Sequence, residues 1–316
     1  MRRKPLLSLF WLLLSLVAGL QAQAAGAASE VDGLSAEQWL DRLSHSYREI
    51  DYRGVFTHEL GSRLQSLRIL HAVIDGKEYE RLEYLDGEDR SVARHEHSLN
   101  CIHQGHRLRR AVETTASDTR YPALSDYYTL SVAPGERIAG RDVVELRVEP
   151  QDVYRFAHRL MLDRETGLVL QSELLDGRDR TLERFRFSTI EIGAAIERAE
   201  FAGEAYQAQH RVAVTDGQSH TMPWHPGWVP QGFELAGGDG SGANDMQTYT
   251  DGMAVFSIFL EARPMQAEGQ ARRGATVAYG RPVVIEGAPW SITVVGEIPQ
   301  LTARRIANSI VIGAAP

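Results

Sequence analysis

Cysteine is nearly absent: Cys101 stands alone among 316 residues. That excludes an intrachain disulfide, a Cys-x-x-Cys metal ribbon and a cysteine at a leader cleavage point able to carry a lipid anchor. Between Asn100 and Ile102 it reads as a buried strand residue rather than a reactive thiol. Lysine is scarce too, with Lys4 and Lys77 the two lysines among 34 basic residues, a bias we assign to codon usage. Long apolar runs are missing, since the stretch at 6–20 falls short of the ~20 residues that span a bilayer. A Gly-x-Ser-x-Gly elbow, a His-Glu-x-x-His helix and a Gly-Lys-Ser/Thr phosphate loop are absent, and the carboxylates are scattered without a recognisable pair. No catalytic residue, metal or cofactor is therefore assigned.

What is present begins with a leader at 1–24. Arg2, Arg3 and Lys4 precede the apolar stretch, and Ala22-Gln23-Ala24 forms a small-residue cleavage site, the pattern of a Sec signal peptide cut near Ala24. All 42 acidic residues lie beyond it, so the mature chain is more acidic than the formal charge of −8 for the whole sequence, which argues against a nucleic-acid partner. With 43% hydrophobic and 24% charged residues the composition is that of a soluble globular protein, of a length for about two domains.

Ser35 with Gln38 three residues on, followed by Trp39, Leu40, Leu43, Tyr47 and Ile50 at helical spacing, predicts a helix over 35–50. The period then changes to two. Strand-like runs occupy 54–60, 66–74, 77–85, 89–97, 143–149, 154–163, 168–175 and 182–192, and Asp75-Gly76, Asp86-Gly87 and Asp176-Gly177 are placed as tight hairpin turns. Val144, Leu146 and Val148 alternate with Glu145, Arg147 and Glu149, as Phe185 and Phe187 do with Arg184 and Arg186, so one face of the sheet is apolar and the other wet. Such a sheet either closes on itself or curls with its concave side filled by the 35–50 helix and the 107–128 segment. The concavity then reads as an apolar ligand site or as an ordinary core.

Residues 206–222 have linker composition. The expected division is a β-rich domain at 25–205 and a small α+β domain at 223–316, with strands at 246–249, 254–261, 275–279, 282–285 and 290–295. A helix near 301–310 carries Ala303, Ile306, Ala307 and Ile310 on one face. The fold class is α+β, rich in β.

Candidate chemistry is thin. His95, His97, Cys101, His103 and His106 form the densest set of metal ligands, but no helical histidine pair accompanies them, and solvated strand histidines are the preferred reading. GGDGSGAND at 237–245 lacks the ligand order of a calcium loop and reads as a hairpin tip. His106, Arg107, Arg109 and Arg110 make the one concentrated basic patch, read as a solvated helix start or loop in preference to a phosphate or carboxylate site. Trp224, Trp228 and Phe233 cluster at the entry to the second domain, as core or as interface.

Taken in order, WLDRL at 39–43, YRGVFT at 52–57, LDRETGLVL at 162–170, LERFRF at 182–187, WVPQGFEL at 228–235, YTDGMAVFSIFLE at 249–261 and TVVGEIP at 293–299 resemble one family, the periplasmic sigma-E regulatory proteins of the RseB/MucB type. The resemblance runs nearly the full length after the leader. It implies a first domain similar to the lipoprotein carriers LolA and LolB, a half-open antiparallel β-barrel packed on helices, joined to a smaller C-terminal α+β domain. It also implies a soluble, non-enzymatic periplasmic protein. Such a protein binds the periplasmic domain of an RseA- or MucA-like anti-sigma factor, shields it from the site-one protease, and is released by lipid or lipopolysaccharide fragments.

On that reading Trp39, Leu43, Phe56, Leu146, Leu160 and Phe185 are the expected lining of the lipid concavity, with His158 interrupting the inward face between Phe156 and Leu160. Trp228, Phe233, Tyr249, Phe256 and Phe259 are the expected partner-binding residues. The rival readings are a lipid or lipoprotein carrier of the LolA type and a zinc enzyme built on the histidine cluster. Exposed apolar strands also lead us to expect self-association.

Overall fold

The computed structural model describes residues 30–87, 90–95, 124–201, 224–240 and 244–313. The leader, Cys101 with its neighbouring histidines, the basic patch and the linker lie outside them.

Ser35 starts the first helix through a reciprocal cap: its hydroxyl accepts from the Gln38 N–H while the Gln38 side chain accepts from the Ser35 N–H at 2.8 Å, satisfying donors that a helix start otherwise leaves bare. The helix, α1 (Ala36–Glu49), follows a short ribbon of β1 (Glu30–Val31) and β2 (Leu34–Ser35). Trp39, Leu40 and Leu43 form its buried stripe.

After α1 come β3 (Tyr52–Leu60), β4 (Arg63–Ile74), β5 (Lys77–Tyr84), β6 (Arg90–His95), β7 (Tyr128–Pro134), β8 (Val143–Pro150), β9 (Ala157–Asp163), β10 (Val169–Leu175) and β11 (Thr181–Ile192). They form one antiparallel sheet in the order β6-β5-β4-β3-β11-β10-β9-β8-β7. Two meanders thus meet where β3 pairs with β11, and the sheet is open, ending at β6 and β7. At that seam an added Cβ on Gly54 would lie 2.6 Å from the Thr189 carbonyl oxygen and 2.7 Å from Phe187 Cε1. Glycine is what lets the strands close beside the register shift after Phe187.

The predicted alternation holds. Val144, Leu146 and Val148 are fully buried beneath α1, whereas the outer face carries a polar ladder centred on the buried Glu173. Its carboxylate accepts from Arg159 Nη1 at 3.0 Å, Arg184 Nε at 2.6 Å and Gln171 Nε2 at 3.1 Å.

The second domain comprises β12 (Trp224–Pro226), β13 (Glu234–Gly240), β14 (Asn244–Thr250), β15 (Val255–Glu261), β16 (Gly269–Arg273), β17 (Thr276–Ile285), β18 (Ala288–Gly296), α2 (Gln300–Asn308) and β19 (Ile310–Ile312). Its antiparallel sheet runs β13-β14-β15-β18-β17-β16, with β12 and β19 as a separate ribbon. Ala303, Ile306 and Ala307 of α2 pack on Phe256, Ile258, Ile292 and Val294 in one buried core.

Several expectations need correction. Tyr128, the end of the 107–128 segment expected to help fill the concave side, begins the edge strand β7. The runs expected at 275–279 and 282–285 are one strand, β17, which begins at Thr276, and Ile310 lies in β19, beyond the end of α2. Asp75-Gly76 makes the expected turn, with φ of 54° and 72°. After Asp176, by contrast, the left-handed residue is Asp179, φ 57°: Asp176 accepts from the N–H groups of Arg178 and Arg180, at 2.9 and 3.1 Å, and closes a longer loop. Edge strands β13 and β16 escaped the sequence reading because β13 is glycine-rich and every residue of β16 is exposed, so neither shows alternation.

The LDRETG stretch is a structural knot. Asp163, essentially buried, accepts from Arg141 Nε at 2.6 Å and Nη2 at 3.0 Å and from the Thr166 N–H at 2.9 Å and hydroxyl at 2.7 Å. Burial disfavours the charged carboxylate, but the hydrogen bonds from Arg141 and Thr166 outweigh it and hold the carboxyl below its ordinary value of 3.8. A carboxyl lowered by folding stabilises the fold above its unfolded value, and that contribution is lost as pH falls through the lowered one. Wild-type unfolding free energy is therefore expected to drop below about pH 4. Asp163→Asn should cost about 2 kcal/mol at pH 7 and flatten that part of the profile, as read by urea unfolding at stepped pH.

Candidate functional site

The expected concavity residues come together. Trp39 and Leu43 descend from α1, Phe56 rises from β3, Leu146 from β8 and Leu160 from β9, all within 5% exposure and all in one apolar cluster. Phe185 of β11 packs against that cluster half-buried, its ring edge-on to Phe56 at 5.4 Å. The concave side is thus filled by its own side chains, and an apolar ligand would enter by moving some of them. Toward the far end of the strands the same face turns polar: His58 Nε2 lies 2.8 Å from Glu183 Oε1, and His158, facing Val148 and Leu174 across β9, is buried.

The five second-domain aromatics separate. Phe233, Tyr249 and Phe256 are core, with Tyr249 and Phe256 stacked at 5.3 Å, and burial pushes the Tyr249 hydroxyl up to about 12. Phe259 is half-buried on the sheet face opposite α2, because β15 alternates and Phe256, Ile258 and Leu260 take the inner positions. Trp228 sits between the domains, with the Arg305 guanidinium 3.8 Å above its ring and Tyr154 edge-on at 5.0 Å. Trp228 and Phe259 are accordingly the two of the five that are not fully buried.

The sequence reading missed the junction itself. Arg155, between β8 and β9, has no exposed side-chain surface, and neither does Asp251 in the β14–β15 turn; Arg155 Nη1 donates to Asp251 Oδ2 at 2.7 Å. Arg155 also donates to Asp152 and to the Gln231 carbonyl, and its guanidinium lies against the rings of Tyr127, Tyr128 and Phe233 at 4.9, 5.4 and 5.1 Å. The Tyr128 hydroxyl donates to Asp251 Oδ2 at 2.8 Å, and the other carboxylate oxygen accepts from the N–H groups of Met253 and Ala254 at 2.9 and 2.7 Å. Burial and the facing Asp251 charge push the Tyr128 hydroxyl well above its usual range, keeping it a donor. Two residues beyond Asp251, Met253 is 2% exposed and belongs to the first domain's apolar cluster.

A second contact reinforces this one. Ala275 is buried with Phe156, Leu174 and Leu182, and at the adjacent Gly274, φ +59°, an added Cβ would lie 2.3 Å from Leu60 Cδ1. Thr302 of α2 donates to the Tyr154 carbonyl at 3.0 Å.

The outer face of the first domain carries a groove of about 640 Å³ lined by Arg53, Arg68, Arg81, Glu83, Glu191 and Glu200 among others. Its charges pair with one another, Arg68 with Glu83 at 2.6 Å and Arg53 with Glu200 at 3.4 Å. Among the described residues no three histidine, cysteine, aspartate or glutamate side chains gather as a metal site, and no helix is long and apolar enough to cross a membrane.

Replacing Asp251 by Ala takes from the buried Arg155 one of its two carboxylate partners and leaves Asp152, a defect worth about 3 kcal/mol. We expect a loss of that size by chemical denaturation, together with faster proteolysis between the domains.

Both domains match known protein families. The MucB/RseB N-terminal domain family matches residues 35–205 and the MucB/RseB C-terminal domain family residues 218–311. The chain is 34% identical over 320 residues to the sigma factor AlgU regulatory protein MucB of Pseudomonas aeruginosa, covering 94% of this chain and 96% of that one. It is 27% identical over 322 residues to the sigma-E factor regulatory protein RseB of Escherichia coli, covering 96% and 98%. The solved complex of Pseudomonas aeruginosa MucA and MucB superposes with a TM-score of 0.70 at 31% identity, covering 89% of this chain and 99% of that one. The chain belongs to the MucB/RseB family of sigma factor regulatory proteins.

Proposed function

We propose that this protein is a non-catalytic periplasmic regulator that binds the periplasmic part of an anti-sigma factor, shields it from the site-one protease, and releases it on binding lipid or lipopolysaccharide. The observation that carries the reading is kinship along both domains with a regulator whose structure is solved together with MucA. Release follows from linkage: a ligand with higher affinity for the free form than for the complex weakens the complex by the same factor. The apolar interior is the acyl-chain side of this exchange, and the face of the second sheet that carries the half-buried Phe259, with Trp228 at the junction, is the partner side.

Digestion of the cognate anti-sigma periplasmic segment by the site-one protease, with and without the mature protein and before and after adding lipopolysaccharide, tests the reading. Protection that lipopolysaccharide reverses is expected. Equal cleavage with and without the protein would defeat the regulator assignment, and lipid transfer to an acceptor would then favour a carrier. Because Phe259 lies on the face away from α2, Phe259→Asp is expected to keep the far-ultraviolet circular dichroism of wild type while reducing protection at least tenfold. Retained protection would remove this face from the interface.

A further inference from the structure

We infer that the seat of Met253 inside the first domain is an acyl-chain subsite, and that a bound chain and the docked second domain exclude one another. The inference rests on the lipid-release reading above and says where release begins.

Every other described member of the apolar cluster beneath α1 belongs to the first domain; Met253 is the second domain's one contribution. It is 2% exposed and sits in a tight turn whose geometry is set by Asp251, which accepts from the Met253 and Ala254 N–H groups. That carboxylate in turn holds Arg155 and Tyr128. Met253 therefore cannot leave the interior while the turn stays put, and the turn cannot move without parting Asp251 from Arg155.

The lining of the interior is otherwise built into the first domain's own framework. Trp39 is tied by its indole N–H to the Val31 carbonyl at 3.2 Å, and Phe56, Leu146 and Leu160 project from paired strands. An interior packed to native density admits a new chain by giving up an old one. Met253 is the group whose departure costs the first domain none of its own strand pairing. Its side chain is also unbranched and flexible, so a saturated alkyl chain is the ligand that best reproduces its shape and apolarity. An acyl chain entering beneath α1 thus takes the place of Met253, lifts the 251–254 turn, opens the Arg155–Asp251 contact and frees the second domain to reorient. A partner that touches both domains loses its surface at that step.

The test uses the mature protein with radiolabelled laurate as the probe. Equilibrium dialysis measures binding, and energy transfer between dyes at Leu64→Cys and Val284→Cys, in a Cys101→Ser background, reports domain separation; both labelled positions are exposed, at 63% and 71%. Saturating laurate is expected to change the transfer efficiency of wild type. Met253→Ala should bind laurate about tenfold more tightly, within the usual range of coupling between linked sites, while the volume-conserving Met253→Leu stays near wild type.

Asp251→Asn loosens the contact to Arg155 without opening a cavity in the interior and should also tighten laurate binding. This separates displacement from simple cavity filling. Circular dichroism confirms the fold of each variant. Laurate that binds with unchanged transfer efficiency, or with equal affinity across wild type, Met253→Ala and Asp251→Asn, overturns the inference and leaves the lipid-release reading standing. Failure of every variant to bind laurate, with no effect of lipopolysaccharide on protection, overturns both.

Discussion

Two opposite charges with no access to water, Arg155 from the first domain and Asp251 from the second, are the contact on which the arrangement of this protein depends. An unpaired charge in such a place is costly, so in the docked arrangement each charge needs the other, with Asp152 a further partner for Arg155. The Gln231 carbonyl, the Tyr128 hydroxyl and the rings of Tyr127, Tyr128 and Phe233 complete the enclosure. Met253 continues it into apolar territory, so the first domain's core is finished by a side chain it does not own. The docked second domain thus contributes to the packing of that core.

The outer face of the large sheet explains why this coupling is confined to the inner one. Glu173 joins Arg159, Arg184 and Gln171, Arg184 reaches Glu59, and Arg186 reaches Gln171, so strands β3, β9, β10 and β11 are tied by charge-assisted hydrogen bonds on the wet side. Such a ladder fixes register, because a slip of one residue would turn these groups into the core. The outer side is thus polar and paired, and the apolar side lies beneath α1.

Much of the fold was legible along the chain. The strict alternation in β8, the capping box before α1 and the Asp75-Gly76 turn each depend on neighbours a few residues away, and each appeared where expected. The edge strands β13 and β16 were hidden because a glycine-rich strand has few side chains to alternate and an exposed strand has no buried face to write a period into the sequence. Of the candidate site, the concavity residues could be chosen because inward positions on paired strands share a parity. The second-domain aromatics could not be sorted into core and surface, since which face α2 covers is settled by the order of strands in the sheet and not by residue type.

The sequence alone determined the class of each domain, the apolar and polar faces of the large sheet, and membership of one family through seven short stretches in order. These are local properties, carried by hydrophobic period, caps and turns. Only the tertiary structure decided that Asp251 faces Arg155, that Met253 leaves its own domain for another's core, and that Asp163 ties Arg141 to the β9–β10 turn. Arg155 and Asp251 are separated by 96 positions and by the linker composition between them. Nothing in either residue's neighbourhood marks it as buried, because the burial is made by the partner that docking brings.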